Sequence, residues 1–160
     1  MFDVRSVFAA LKPKAGPTTA FERGVVALDA GDHAGAVREF EAALAEGGDD
    51  ATSAAAHNKR GVACIALGRR LDALDAFCAA LTRDERCAPA LVNLGNLLLE
   101  DGHALDAIDH YDAAIRADEN YPAAYRNLGI ALRRVGRRSE SVRALRSADR
   151  LAGRPHRRRV

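Results

Sequence analysis

The sequence repeats itself at a fixed interval, and that interval constrains the fold more than any other property. Gly61, Gly95 and Gly129 follow one another at steps of 34 residues, as do Gly68, Gly102 and Gly136, and Ala80, Ala114 and Ala148. Ala73 and Phe77 are answered at the same step by Ala107 and Tyr111. An earlier copy, with Gly24, Gly31, Ala36 and Phe40, precedes its counterparts by 37 residues. A period of this length marks stacked supersecondary units, each too small to bury its own apolar face alone. Within a copy, apolar residues recur at helical spacing on both sides of a glycine, as in Leu91–Leu99 and Ala104–Ile115 around Gly102.

The third copy reads Leu91-x-x-Leu94-Gly95-x-x-Leu98 and then Ala107-x-x-x-Tyr111. The fourth reads Tyr125-x-x-Leu128-Gly129-x-x-Leu132 and Ser141-x-x-x-Leu145; the second has His57, Arg60, Gly61 and Cys64, then Ala73 and Phe77. The first has Ala20, Arg23, Gly24 and Ala27, then Ala36 and Phe40. In these residues the chain resembles the tetratricopeptide repeat family. The resemblance spans residues 17–153 and implies an all-α fold, a right-handed α-solenoid of four antiparallel helix pairs. It departs at the second-helix ends, where the usual proline is replaced by Gly48, Glu85, Glu119 and Gly153.

The repeats are expected at about 17–50, 54–87, 88–121 and 122–153. Helices are expected near 18–30, 33–46, 51–67, 70–83, 88–101, 104–117, 122–135 and 138–152. The three residues inserted near Ala51–Ser53 lengthen the third helix, with Asp50 as its cap. Pro89 and Pro122 suit first helical turns. The glycines inside helices each cost about 1 kcal/mol against Ala, so their recurrence implies another backbone coming close there. Residues 1–16 form an extra short N-terminal helix and linker: Val4, Val7, Phe8 and Leu11 fall at helical spacing before Lys12–Pro17. Such a helix is marginal alone, and capping the front of the first repeat is its expected role. Residues 154–160 form a basic C-terminal tail.

No run of the sequence is long and apolar enough to span a membrane, and Met1–Arg5 does not read as a secretory signal. Three cysteines, Cys64, Cys78 and Cys87, make no disulfide framework and favour a cytoplasmic protein. No catalytic constellation, cofactor loop or metal signature emerges. His103, Asp106, Asp109 and His110 share a short stretch, but a turn residue and a helix-starting carboxylate explain them better than a metal does. Cys64 and Cys78 read as small hydrophobes before they read as reactive thiols.

The family resemblance implies that the first helices line a concave groove for a protein or peptide partner. Its residues are Phe21 and Val25 in the first repeat and Asn58, Lys59 and Val62 in the second. Asn93, Asn96 and Glu100 follow in the third, then Arg126, Asn127, Ile130, Arg133 and Arg134 in the fourth. An amide both donates and accepts, so a row of asparagines at one register suits an extended main chain. A Lys/Asn/Arg clamp for a terminal carboxylate does not fit the first repeat, which offers Phe21 and Val25. From Arg126 onward there are 12 arginines and 2 carboxylates, hence +10; Met1–Tyr125 balances to −8 from 12 basic and 20 acidic residues. Arg137, Arg138, Arg154, Arg157, Arg158 and Arg159 are accordingly candidates for an acidic partner or nucleic acid. The rival is a solubilising end, with Arg143, Arg146 and Arg150 outward and Val142, Leu145, Ala148 and Leu151 inward. The leading expectation is a non-catalytic interaction scaffold or adaptor. Polyanion binding ranks second, for want of interleaved aromatics, and an accessory subunit of an enzyme complex third.

Overall fold

The computed structural model describes residues 18–153. It holds eight helices: α1 (Ala20–Asp29), α2 (His33–Glu46), α3 (Asp50–Ala66), α4 (Arg70–Arg83), α5 (Ala88–Glu100), α6 (Ala104–Ala117), α7 (Pro122–Arg134) and α8 (Arg138–Ala152). The N-terminal helix over 1–16 and the tail over 154–160 lie outside the described residues.

Capping chemistry sets the helix starts. Thr19 accepts from the Glu22 amide at 3.1 Å while the Glu22 carboxylate accepts from the Thr19 amide at 3.1 Å, a reciprocal box. The Thr18 and Thr19 amides, both donating to it, hold the Glu22 carboxyl below its ordinary range. The inserted residues do lengthen α3 to 17 residues, but its cap is Asp49, not Asp50. Asp49 accepts from the Thr52 amide at 2.7 Å, which leaves Asp50 in the first turn, where its charge suits the helix dipole. Between the two helices of each pair the chain turns on Gly31, Gly68, Gly102 or Gly136, at φ of 79°, 72°, 88° and 81°. An L side chain rarely adopts that conformation.

Each pair closes on a glycine. A methyl group added at Gly95 would stand 2.6 Å from Cε1 of Tyr111, and one at Gly24 2.7 Å from Cε1 of Phe40. Phe77 crowds Gly61 in the same way. Phe40, Phe77 and Tyr111 are the largest side chains shut off from solvent, and Ala36, Ala73, Ala107, Ala80, Ala114 and Ala148 are all at 0% exposure. Small residues on both helices let backbones approach until a single ring fills the remaining space.

Consecutive helices pack along the whole array. First helices also touch first helices (α1 with α3, α3 with α5, α5 with α7), whereas second helices of neighbouring pairs do not meet. The first helices therefore form the inner, concave wall and the second helices the outer one. One position sets the first of these helices apart among the described residues: Val26 is 54% exposed, whereas its counterparts Ala63, Leu97 and Ala131 are buried. At the other end Val142 is 47% exposed, contrary to the inward place expected for it. Helix α8 buries the stripe Ser141, Ala144 and Ala148, and Val142 lies about 100° round the helix from Ser141. Cys78 is likewise on the surface, while Cys64 is buried.

Candidate functional site

One register recurs on the four first helices and its open positions line the groove; in α5 Val92 and Leu99 are buried in the core, which leaves Asn96 open. The positions of Phe21, Val25 and Leu28 in α1 recur as Asn58, Val62 and Ile65 in α3. They recur again as Val92, Asn96 and Leu99 in α5 and as Arg126, Ile130 and Arg133 in α7. A neighbouring column runs Glu22, Lys59, Asn93 and Asn127. A cleft of about 670 Å³ lies between α3 and α5, lined by Asn58, Lys59, Val62 and Asn93 and edged by Asp84, Arg86, Cys87, Asp118 and Tyr121. It continues inward as a smaller hollow of about 130 Å³ that adds Ile65, Asn96 and Glu100 and shares Val62 and Asn93.

The asparagines are joined in pairs across helices. Asn93 Nδ2 donates to Asn58 Oδ1 at 2.8 Å, tying α5 to α3. Asn127 Nδ2 donates to Asn96 Oδ1 at 2.8 Å, tying α7 to α5. The Tyr111 hydroxyl also donates to Asn96 Oδ1, at 2.9 Å. Burial pushes that phenol up to about 12, so it stays protonated and a donor across the ordinary pH range. Each amide thus has a fixed orientation. The Nδ2 of Asn58 and Asn96 and the Oδ1 of Asn93 and Asn127 make no side-chain hydrogen bond among the described residues. Donor and acceptor groups alternate along the wall.

The other expected groove residues divide by what they touch. Phe21 and Val25 are half-buried; the Phe21 ring meets Phe40 edge-on, with centroids 5.7 Å apart and planes at 62°. Val62 and Ile65 stand 37% and 43% exposed, an apolar wall open to the groove. Glu100 is engaged by Arg70 Nη1 at 2.6 Å, and Arg70 Nη2 reaches Asp101 and the Leu97 carbonyl, each at 2.8 Å. Arg134 donates to the Leu99 carbonyl at 2.6 Å, so it seams α7 to α5. Arg126 and Arg133 are exposed and make no ion pair among the described residues. Of the polyanion candidates, Arg137 is paired with Glu140, Nε to Oε1 at 2.7 Å, and Arg138 is exposed and unpaired among the described residues. Arg154, Arg157, Arg158 and Arg159 lie outside the described residues.

Sequence reasoning missed the loop edge of the cleft and the reach of Arg70. The loop edge had a legible signal. Asp84 and Asp118 stand 34 apart, and each carboxylate accepts from the amide two residues on, at Arg86 and Asn120, both 2.9 Å. These aspartate turns stop the second helices where the expected proline is missing. No cluster of His, Cys, Asp or Glu suited to a metal occurs among the described residues, and no helix there is long and apolar enough to cross a membrane.

A family model described as "Tetratricopeptide repeat" matches residues 21–90, 65–122 and 92–155. Among solved structures, MamA aligns with a TM-score of 0.69 at 24% identity, over 92% of this chain and 84% of its own. PilF of Pseudomonas aeruginosa aligns with a TM-score of 0.72 at 23% identity, over 82% of this chain and 59% of its own. YrrB, described as a TPR protein with an unusual peptide-binding site, aligns with a TM-score of 0.63 at 20% identity, over 82% and 66%. At these identities the likeness is one of fold. No curated protein matches the sequence.

Proposed function

Because the chain belongs to the tetratricopeptide repeat family, we propose that it is a non-catalytic protein–protein interaction scaffold, an adaptor that holds an extended segment of a partner in its concave groove. The observation that carries this reading is the amide wall. Asn58, Asn93, Asn96 and Asn127 are held in bonded pairs, with Tyr111 on Asn96, yet each keeps a polar group that bonds to no side chain among the described residues. A main chain passing along them meets a donor, then an acceptor, at fixed places, with no ordering cost left in those side chains. The unpaired cysteines suit a cytoplasmic setting.

A test follows from the two roles of these amides. Replacing Asn93 and Asn127 together with Ala removes the two acceptors and unties two helix seams. A peptide selected from a random library on the parent should lose at least about tenfold in affinity, two hydrogen bonds at roughly 1 kcal/mol each. The helical circular dichroism spectrum should persist. Unchanged affinity would reject the amide wall as the binding surface. The polyanion reading rests on Arg137, Arg138, Arg154, Arg157, Arg158 and Arg159, and of these Arg138 is exposed with no ion-pair partner among the described residues. Its signature is a steep fall of single-stranded RNA binding with salt.

A further inference from the structure

The same register that builds the groove also changes its chemistry from one end to the other. In α1 the stripe is Phe21, Val25 and Leu28, all apolar and half-buried. In α3 it is Asn58, Val62 and Ile65, still apolar at the two exposed places. In α5 Val92 and Leu99 are buried in the core, and the one open position of the stripe is polar, Asn96. In α7 it becomes Arg126, Ile130 and Arg133, with a cation one helical turn to either side of an aliphatic floor. Neither guanidinium is engaged by a carboxylate among the described residues, although Arg70 and Arg137 nearby are. The loop carboxylates Asp118 and Glu119 precede α7 and so lie at its opposite end from Arg133. Arg126 and Arg133 also fall on the flank of α7 away from Asn127 and Arg134, which both bond to α5. They therefore stand at the exit of the groove.

Resting on the reading of the groove as a peptide site, we propose that its ligand is a charge-graded extended segment. Its apolar side chains lie over α1 and α3, and one or more carboxylates lie at the other end, between Arg126 and Arg133. Two unengaged guanidiniums in a concave setting gain more from a carboxylate than from water, because each N–H can make a charge-assisted bond. Three helix-to-helix steps of roughly 8–10 Å correspond to about eight or nine extended residues at ~3.3 Å each, so apolar and acidic ends are separated by that length.

A random ten-residue phage library panned on the full chain, and on an Arg126→Glu/Arg133→Glu variant, tests this. Both arginines are solvent-exposed and unpaired, so the variant should keep the parent's helical spectrum. Peptides from the parent are expected to carry Asp or Glu at one end and Leu, Ile, Val or Phe at the other. Peptides from the variant should keep the apolar end and exchange the acids for Lys or Arg. The strongest parent peptide should bind the variant about tenfold or more weakly. Peptides enriched without an acidic end, or with an acidic end that the reversal leaves unchanged, would overturn the gradient while leaving the peptide groove standing. Acid preference lost on deletion of residues 154–160, and not on reversal, would overturn it in favour of the tail. No peptide enriched on either protein would reject the groove reading and the gradient together, and RNA retained with a steep salt slope would then replace both.

Discussion

The third and fourth helix pairs share one backbone plan and fill it differently. In the third, Tyr111 lies against Gly95, wholly buried, and its hydroxyl reaches Asn96 at 2.9 Å, which in turn receives Asn127 from the next pair. In the fourth, a half-buried Leu145 stands over Gly129, and Ser141 replaces the alanine found at Ala107. The Ser141 hydroxyl donates to the Gly129 carbonyl at 2.7 Å, inside the pair. The third pair is closed on both sides and uses an aromatic to speak to its neighbours. The fourth has nothing after it among the described residues and ties itself together locally. Charge follows the same division: residues 88–121 carry seven carboxylates and one arginine, whereas 122–153 carry eight arginines and two carboxylates. An interior pair is shaped by packing and an end pair by solvent.

The comparison breaks most visibly at the two wedges. Tyr111→Ala should cost about 3–5 kcal/mol, because it empties a fully buried ring. Leu145→Ala should cost about 2 kcal/mol, since that site is half-open and can collapse. Equal losses in urea melts would contradict the division. Next come the glycines. Gly95→Ala drives a methyl group into a ring that has nowhere to go and should cost about 1–3 kcal/mol, as should Ala107→Leu at the adjoining contact. Gly129→Ala meets Leu145 Cγ at 2.7 Å and the Ser141 carbonyl oxygen at 3.3 Å, so the half-open leucine must turn to make room. The gain of about 1 kcal/mol in helix propensity offsets part of that, and the loss should be smaller than for Gly95→Ala.

Smaller effects sharpen the picture. Tyr111→Phe removes one buried hydroxyl and should cost about 1 kcal/mol at neutral pH. The phenol's pKa is raised on folding to about 12 from an ordinary 10. Its contribution is therefore fully present below pH 10 and lost as pH rises toward 12. A rise from 10 to about 12 is worth about 2.7 kcal/mol, more than the hydroxyl contributes, so the gap between parent and Tyr111→Phe should close and then reverse over that window and hold steady below it, as urea melts at stepped pH would read. Ser141→Ala should cost about 1 kcal/mol or less, because the Gly129 carbonyl keeps its place in the helix ladder.

The period made most of this legible from sequence alone. It placed the turn glycines and the longer α3, and it marked the helix glycines as crowded, although what crowds Gly24, Gly61 and Gly95 is the ring of the same pair and not another backbone. What it could not place depends on how neighbouring helices rotate against one another. Asn58 and Asn93 are 35 residues apart and Asn96 and Asn127 are 31 apart, so neither bonded pair shares a register. The matched pair, Asn93 and Asn127, is bonded instead to partners one column over. Arg70 and Arg134 likewise reach carbonyls in an adjacent pair, a reach set by side-chain length and not by spacing. Val142 reads as inward by helical spacing with Leu145, yet the buried stripe of α8 is centred on Ser141 and Ala148.

The central claim is that the concave amide wall, and no other surface, takes the partner. The outer face offers a real competitor, since Leu71 and Leu105 stand 78% and 65% exposed at matching positions on α4 and α6. Side-chain amide signals of an isotope-labelled chain, followed as a library-selected peptide is titrated in, separate the two. The account predicts that the Asn58, Asn93, Asn96 and Asn127 signals shift together and saturate with the binding curve, while the methyls of Leu71 and Leu105 stay still. Shifts at those leucines with unmoved asparagines would contradict it.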